Sequence, residues 1–465
     1  MNQRPRFVAR IHRASSIACL ALASALCVRA QSLQPPTVAT LQDLRGLAAV
    51  SALSNTPEGR NTLVANLRVT GGIETGKIRQ PTLLPFSGQE QLALSDAYAP
   101  GHNLAQPSDG LGTSLAAAYL SHFHAIDREH ATPLSPALER LVRYALATTG
   151  GHSNAAKFFF GNGTLDGRTP VSAEARAIYT DVHGSPDPFG RAYSFPAGSV
   201  GADPNGDSRP FQTEPDFKHY AGIDYLGTPA TNDEYDHGKL MDLTGNPSYP
   251  SGHTTNGYTG ALLLALLVPS RYQQMITRGA EYGNDRIIVG AHYAMDVLGG
   301  RTLALHDMAH LLANDPAYVQ QQPNETTAAI GDFQAALGAA RVELNTLLQA
   351  SCGQKVEICA TRDTGRFRHA HANERFYAAT QDYGLGIAHS ETAGIKEDVA
   401  QIAPEAGYLL TTAFPNLSLQ MADRILTETE GPGGGFLDDG SSFGLYSRID
   451  LYTAAGVAAA LARTQ

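Results

Sequence analysis

Residues 283–301 read GNDRIIVGAHYAMDVLGGR and carry the most informative spacing in this 465-residue chain. Arg286 is followed six positions later by His292, and Asp296 comes four positions after that histidine. If a helix begins near Ala291, His292 and Asp296 lie one turn apart on the same face, so the carboxylate can accept a hydrogen bond from the imidazole. That bond fixes the tautomer and leaves the other ring nitrogen free to attack an electrophile.

The segment before His292 indicates a binding site for an anion. Arg286 precedes the predicted helix, and Gly290 allows the chain to turn sharply enough for the guanidinium to approach the helix start. The free N–H groups and the macrodipole of a helix N-terminus attract anions, and the arginine fork matches the oxygens of phosphate. The pattern therefore predicts a nucleophile and an anion site at one place.

A second polar motif, Pro250-Ser251-Gly252-His253, stands just before an apolar run. Pro250 and Gly252 favour a tight turn at the start of the helix that follows. The Ser251 hydroxyl and the Gly252 amide can both point at an oxyanion. A protonated His253 beside that anion can give its proton to a leaving-group oxygen, which is worth ~10²- to 10⁴-fold in rate.

Together with Arg209-Pro210 upstream, these two motifs resemble the signature of the type 2 phosphatidic acid phosphatase superfamily. This superfamily includes bacterial class A non-specific acid phosphatases, membrane lipid phosphatases and vanadium-dependent haloperoxidases. The resemblance covers about 90 residues, from Arg209 to Arg301, and the second and third motifs agree in residue types, spacing and order. It implies an all-α fold, a helical bundle of the acid phosphatase and vanadium haloperoxidase type with loop-rich insertions.

The resemblance also implies a phosphohistidine mechanism with a role for each motif residue. His292 is expected to attack phosphorus, Asp296 to support His292, and His253 to protonate the departing alcohol. Four groups are expected to hold the phosphoryl oxygens: the side chains of Arg209, Arg286 and Ser251 and the amide of Gly252. Water then hydrolyses the intermediate, and the mechanism requires no metal or other cofactor.

Two positions depart from the superfamily pattern. The lysine expected seven residues before Arg209 is replaced by Ala202. The serine expected before Arg286 is replaced by Asp285, which we expect to point into solvent or to cap a helix rather than to contact phosphate. Three other cations can take the place of the lysine after a loop rearrangement, and the sequence does not choose among them: Arg191, Lys157 and Lys218.

The first thirty residues have the pattern of a signal peptide. Four arginines, Arg4, Arg6, Arg10 and Arg13, precede an apolar stretch from Ala14 to Val28. This stretch ends in Val28-Arg29-Ala30, a small-residue pattern that predicts cleavage near Ala30 and a periplasmic or secreted protein. A transmembrane anchor is the alternative, but the apolar stretch is shorter than the ~20 residues that a bilayer requires.

Composition and charge narrow the class of partner. The chain is 43% hydrophobic and 17% charged, which is typical of an ordered globular protein. Cleavage after Ala30 removes five of the 34 basic residues and none of the 44 acidic ones, so the formal charge falls from −10 to about −15. Because an acidic surface repels polyphosphate, we expect no nucleic acid as partner. The resemblance implies a small phosphate ester as substrate. The sequence does not predict the oligomeric state.

Cys352 and Cys359 remain after cleavage, and in an exported protein a pair this close predicts one local disulfide. A zinc half-site is the alternative, although no second pair of Cys or His stands at zinc-finger spacing. Two groups of histidines elsewhere do not share a helix face and predict no metal site: His122, His124 and His130, and then His369 and His371.

Apolar residues recur every three or four positions along much of the chain, which predicts core helices. The clearest patterns cover residues 111–120, 138–146, 260–268, 297–312, 330–348 and the region around 399–426. Residues 31–90 are rich in Pro, Thr, Gln and Gly and are expected to form a loosely structured extension on the surface. The predicted organisation is a signal peptide (1–30), this N-terminal extension (31–90), a catalytic core (91–320) and a C-terminal helical extension packed on the core (321–465).

The function that these features predict is an exported phosphomonoesterase of broad specificity with an acidic pH optimum, since a charged His253 and a neutral His292 are needed together. A vanadium-dependent haloperoxidase is the main alternative, in which the same residues hold vanadate and His292 ligates the vanadium. A non-catalytic anion-binding protein is a third possibility, because the expected lysine is absent. The lack of predicted membrane spans disfavours a membrane lipid phosphatase.

Overall fold

The computed structural model describes the chain over seven ranges: residues 36–78, 82–97, 101–168, 171–184, 208–236, 246–361 and 365–464. These residues all fall within one unit, Pro36–Gln465. The predicted signal peptide (1–30) lies outside the described residues, and so do Ala202 and Arg191.

Almost all regular structure in these ranges is helical, so the predicted all-α class is confirmed. The α-helices are α1 Val38–Leu47, α2 Pro57–Glu74, α3 Phe86–Ala97, α4 Thr113–Leu120, α5 Pro136–Asn162, α6 Ala173–Asp181, α7 Pro210–Thr213, α8 Gly252–Leu267, α9 Tyr272–Ile288, α10 Ala294–Leu312, α11 Pro316–Val319, α12 Phe333–Cys352, α13 Val356–Thr361, α14 Ala370–Asp382, α15 Val399–Ile402, α16 Tyr408–Thr411, α17 Leu419–Thr429, α18 Ser442–Leu445 and α19 Leu451–Thr464. Short 3-10 helices occupy Ala48–Asn55, Gly101–Asn103, Pro107–Leu111, Asn232–Tyr235, Pro269–Arg271, Arg366–Arg368 and Pro404–Gly407. The one sheet in the described ranges is an antiparallel hairpin of β1 Ala221–Ile223 and β2 Pro229–Thr231.

Helices α8, α9 and α10 lie at the centre of the fold, and α5 packs against α8 and α10. Every residue of α8 from Tyr258 onwards is buried, because this half of the helix is apolar on nearly all sides. The predicted buried helix over 260–268 is confirmed, and it begins earlier, at Gly252. Helices α9 and α10 are buried over most of their length as well. The polar loops at the N-terminal ends of α8 and α10 are therefore mounted on a rigid core.

The expectation of a loosely structured surface extension before residue 90 is wrong. Helices α1 and α2 pack into the core, and Leu44 and Leu47 of α1 have no exposed surface. Threonine and proline misled the prediction because they are start signals for helices as well as loop residues. The hydroxyls of Thr37 and Thr56 accept hydrogen bonds from N–H groups three positions later and cap α1 and α2, and Pro57 occupies the first turn of α2.

The C-terminal helices are held to the centre of the fold by Arg301 of α10. Its buried guanidinium donates hydrogen bonds to the carbonyl oxygens of Gln381, Ser447 and Ile449. The last residue of the 283–301 motif thus binds backbone and not an anion. A disulfide joins Cys352 to Cys359 just after α12. Among the described helices, none has the length and apolar character needed to cross a bilayer.

Candidate active site

His292 lies in the turn that joins α9 to α10. Gly290 adopts a φ of +81° there, and α10 begins only at Ala294. The predicted helix start near Ala291 is therefore wrong, and His292 precedes the helix instead of lying on its face. The backbone carbonyl of Arg286 accepts hydrogen bonds from the N–H groups of Ala291 and His292, at 3.1 and 3.3 Å, and this closes the turn.

Asp296 faces His292 for a reason other than a shared helix face. It is the third residue of α10, and its carboxylate folds back over the helix N-terminus, where Oδ2 accepts the Tyr293 N–H at 2.9 Å. The same oxygen lies 3.2 Å from His292 Nδ1 and also accepts the Ser248 hydroxyl. A proton on Nδ1 satisfies this contact, which leaves Nε2 with a free lone pair.

Polar side chains of α2 support this turn from behind. Thr70 Oγ1 accepts the N–H of Ala294 at 3.1 Å, and Asn66 Oδ1 accepts the N–H of Met295 at 3.0 Å. These are two of the N–H groups that a helix start leaves unpaired. Glu74 continues the same row, and burial raises its pKa to about 9. The sequence analysis did not predict this row of residues. A polar residue at every fourth position of α2 is the pattern that could have revealed it.

Ser251 begins α8 and ties that helix to the start of α10. Its Oγ accepts hydrogen bonds from the N–H and the hydroxyl of Thr254, at 3.2 and 2.9 Å, so it caps α8. Its own N–H donates to the carbonyl of Asp296 at 3.0 Å. A Cβ on Gly300 would come within 2.5 Å of the Ser251 carbonyl, so the close approach requires glycine. Because Oγ acts as acceptor in both bonds to Thr254, its hydrogen can be donated to an anion.

Arg209 clamps the loops that carry the site. Its Nε and Nη2 donate to the carbonyl oxygens of Asn246 and Pro247, both at 3.0 Å, and Nη2 also donates to Asn246 Oδ1 at 2.8 Å. Its Nη1 donates to the carbonyl of Ala291, next to His292, at 2.7 Å. Because these protein acceptors engage its Nε, Nη1 and Nη2, Arg209 contributes its charge and the fixing of the loops rather than a fork for an anion.

Arg286 differs from Arg209 in its hydrogen bonding. Its side chain is buried, and neither Nε nor Nη1 has a hydrogen-bond partner in the described part of the chain. The guanidinium carbon lies 5.3 Å from the centre of the Tyr235 ring. Buried donors without a partner are costly, by ~1–3 kcal/mol each and more for charged groups. Such an arrangement is typical of a residue whose partner is a bound anion.

Lys157 on α5 brings a third positive charge to the same place. Its charge contributes to the lowered pKa values of His253 and His292, and it opposes the burial that raises the pKa of Asp296 to about 6, so it lies within electrostatic reach of all three. Lys218, by contrast, forms an ion pair with Glu90. Three cations were candidates to replace the missing lysine. Of the two that the structure describes, Lys157 and not Lys218 lies near the site.

The cations set the protonation of the two histidines. The positive charge of Arg286, with further contributions from Lys157 and Arg209, lowers the pKa of His253 well below its usual value. Burial lowers the pKa of His292 in the same direction, and the same three cations add to the effect. His253 is exposed while His292 is almost completely buried. His253 can therefore exchange protons with solvent directly.

Asp285 departs from its expected position. It has no exposed surface and lies inside α9, so the expectation that it points into solvent or caps a helix is wrong. Its Oδ1 accepts a hydrogen bond from Gln89 of α3 at 2.6 Å. Burial raises the pKa of Asp285 well above its usual range, and the nearby carboxylates of Asp96 and Glu281 raise it further.

Most of these groups fall in a segment that matches a known family. Residues 206–313 match the family described as the PAP2 superfamily, which confirms the resemblance predicted from the motifs. Lys157 and the α2 row lie outside the matched residues.

Three curated relatives match parts of the chain. An acid phosphatase of Zymomonas mobilis is 45% identical over 64 residues, which cover 14% of this chain and 24% of that protein. The non-specific acid phosphatase of Salmonella typhimurium is 38% identical over 103 residues, covering 22% of this chain and 35% of that protein. The non-specific acid phosphatase of Providencia stuartii is 39% identical over 79 residues, covering 17% and 32%. The chain thus spans about a quarter to a third of the length of these relatives.

We predict that Lys157→Gln weakens the binding of inorganic phosphate by roughly 10- to 100-fold, as expected for loss of a charged hydrogen bond of ~1.5–3 kcal/mol. Isothermal titration calorimetry of the purified protein measures the dissociation constant. Lys218→Gln is the matched control and should change it less than twofold or so, because that lysine pairs with Glu90. Unchanged affinity in Lys157→Gln together with lost affinity in Lys218→Gln would reverse the assignment.

Proposed function

We propose that the protein is an exported phosphomonoesterase of broad specificity that hydrolyses small phosphate esters through a phosphohistidine on His292. The observation that carries this proposal is the buried Arg286 guanidinium, whose Nε and Nη1 lack a partner in the described residues. It adjoins His253, whose pKa it lowers more than any other group does. A buried cation with donors that lack a partner in the described residues, beside two histidines, suits a dianionic phosphate.

In the first step, Nε2 of His292 attacks phosphorus while Asp296 holds Nδ1. The bond from phosphorus to the ester oxygen breaks as the bond from Nε2 to phosphorus forms. The departing alkoxide takes a proton from His253, which must therefore enter this step protonated. The negative charge of the bound ester opposes the cations around His253 and so favours this protonated form.

In the second step, water attacks the phosphoryl group, and His253, now neutral, accepts the proton that the water loses. The bond between phosphorus and Nε2 breaks, and inorganic phosphate leaves. The free enzyme is regenerated with His253 protonated and His292 neutral. All acid and base steps are carried by side chains of this chain, so the chemistry itself needs no metal.

Several groups can hold the phosphoryl oxygens during both steps. Arg286 offers Nε and Nη1, which have no partner in the described residues, Ser251 offers its hydroxyl hydrogen, and Lys157 adds its positive charge. The amide of Gly252 opens α8, so the positive end of that helix dipole also faces the anion. Arg209 adds charge while it fixes the loop geometry. Such preorganised donors stabilise charge that develops in a transition state, at ~10²- to 10³-fold in rate for one donor.

Export is part of the proposal. The arginine-rich leader and small-residue pattern near Ala30 support a signal peptide, and the disulfide between Cys352 and Cys359 fits an oxidising compartment such as the periplasm.

The first test is phosphate release from p-nitrophenyl phosphate by the purified protein. We expect turnover that vanadate inhibits, that brief exposure to EDTA leaves intact, and that His292→Ala lowers by at least ~10³-fold through loss of the nucleophile. His371→Ala is the control, since that side chain is almost fully exposed, and it should retain activity.

Two results would contradict the proposal. A folded wild-type protein that binds phosphate but never releases it from an ester would be an anion-binding protein. A protein inactive on esters that oxidises halides with peroxide after loading with vanadate would be a haloperoxidase.

The pH dependence follows from the lowered pKa values. The free enzyme needs His292 neutral and His253 protonated, and both pKa values lie below the usual ~6.5, so kcat/KM should be highest in the acidic range. A bound phosphate dianion raises both pKa values, so the kcat optimum should lie at higher pH than the kcat/KM optimum. Steady-state rates between pH 4 and 8 measure both profiles. An optimum for kcat/KM above pH 7 would contradict this account.

A further inference from the structure

A second cluster of ionisable side chains lies deep in the fold, apart from the candidate active site. It consists of Asp43 from α1, His152 from α5, and His306 and Asp307 from α10, and we refer to these four residues as the His–Asp cluster. Each of them is more than nine-tenths buried. His306 follows Asp296 by ten residues on the same helix, so the cluster lies ~15 Å along α10 from that end of the active site.

Both imidazoles of the His–Asp cluster point Nδ1 at oxygens of both aspartates. His152 Nδ1 lies 2.8 Å from Asp43 Oδ2 and 3.0 Å from Asp307 Oδ2. His306 Nδ1 lies 2.9 Å from Asp43 Oδ1 and 3.5 Å from Asp307 Oδ1. His306 Nδ1 and one oxygen each from Asp43 and Asp307 therefore lie within 4.8 Å of one another, while His152 contacts the other oxygen of each carboxylate.

Hydrogen bonding accounts for only part of these contacts, since His152 Nδ1 pairs with Asp307 Oδ2 at 3.0 Å. His306 Nδ1, Asp43 Oδ2 and Asp307 Oδ1 are buried and have no hydrogen-bond partner in the described part of the chain, although their neighbours lie close by. An N–H can point along only one direction, whereas each Nδ1 here is shared between two carboxylates. Buried polar atoms that converge without satisfying one another indicate an absent central partner.

We propose that the His–Asp cluster binds one divalent transition-metal ion, with Zn²⁺ the best fit. Zinc takes nitrogen or oxygen ligands in a tetrahedron at ~2.0 Å, which places the ligand atoms ~3.3 Å apart. Three residues offer ligand atoms at about this spacing, since His306 Nδ1 lies 2.9 Å from Asp43 Oδ1 and 3.5 Å from Asp307 Oδ1. Two carboxylates neutralise the dication while both imidazoles stay neutral. Without a metal, the same neutrality requires both imidazoles to be protonated.

The surroundings suit a closed structural site. Tyr318 lies against the cluster, with its hydroxyl 3.5 Å from Asp43 Oδ1. The rings of Phe443 and Tyr446 lie 4.8 and 5.2 Å from the His306 ring and exclude water on that side. A metal held by Asp43, His306 and Asp307 would join α1 to α10, the helix that carries Asp296. The sequence predicted no metal site because these ligands come from two helices far apart in the chain and form no spacing motif.

The proposal is independent of the phosphatase function, and its test does not use activity. The full chain is equilibrated with Zn²⁺, freed of excess metal and analysed by mass spectrometry of the bound metal. We expect about one Zn²⁺ per chain, a melting temperature that falls by several degrees when a strong chelator removes the metal, and recovery when Zn²⁺ is returned.

Asp43→Asn should abolish the bound Zn²⁺ and the response to chelator. His130→Gln is the matched control, because His130 also contacts a carboxylate but is exposed, and it should bind Zn²⁺ as the wild type does. If Asp43→Asn fails to fold, the wild-type measurements still decide. A wild-type chain that retains no metal, with a melting temperature indifferent to Zn²⁺ and chelator, would overturn the proposal and identify the cluster as two ion pairs of protonated histidine and aspartate.

Discussion

The charge of the candidate active site is the constraint on which its other features depend. Arg209, Arg286 and Lys157 bring three positive charges to the starts of α8 and α10, and the described residues offer Asp296 as the carboxylate in contact with His292. This imbalance lowers the pKa of His253 and adds to the burial that lowers the pKa of His292. Nε and Nη1 of Arg286 have no hydrogen-bond partner among the described residues. A protein can tolerate such an arrangement when a bound anion restores the balance, and a phosphate dianion has the charge and the oxygens to do so.

The rest of the architecture keeps these charges in place against their mutual repulsion. Asp296 links the two loops, since its side chain contacts His292 and its carbonyl accepts the N–H of Ser251. Arg209 holds the same loops through backbone carbonyls, and the buried helices α8, α9 and α10 behind them provide a core that cannot shift easily. The polar row of α2 binds the start of α10 as well, so α2 helps to position the turn that carries His292.

Part of this was predictable from sequence. The sequence analysis located Arg209, the 250–253 motif and the 283–301 motif, and the structure brings them together. These motifs could be recognised because their residues are close in the chain and keep a fixed spacing. The predicted start of α10 was wrong because a histidine and an aspartate four residues apart can meet in two ways. They can share a helix face, or the aspartate can fold back over the first turn towards a histidine that precedes the helix. Lys157 could not be selected, since only tertiary packing brings α5 beside Gly252. The His–Asp cluster was invisible for the same reason.

The proposed mechanism requires His292 to become covalently phosphorylated, and trapping the phosphorylated protein tests this requirement. The protein is mixed with p-nitrophenyl phosphate, quenched in alkali within the first turnover to preserve the bond between nitrogen and phosphorus, and digested for mass spectrometry. The account predicts a phosphoryl group on the peptide that contains His292, and none on the corresponding peptide of His292→Ala. Turnover without a phosphorylated His292, or a label on another residue, would contradict it.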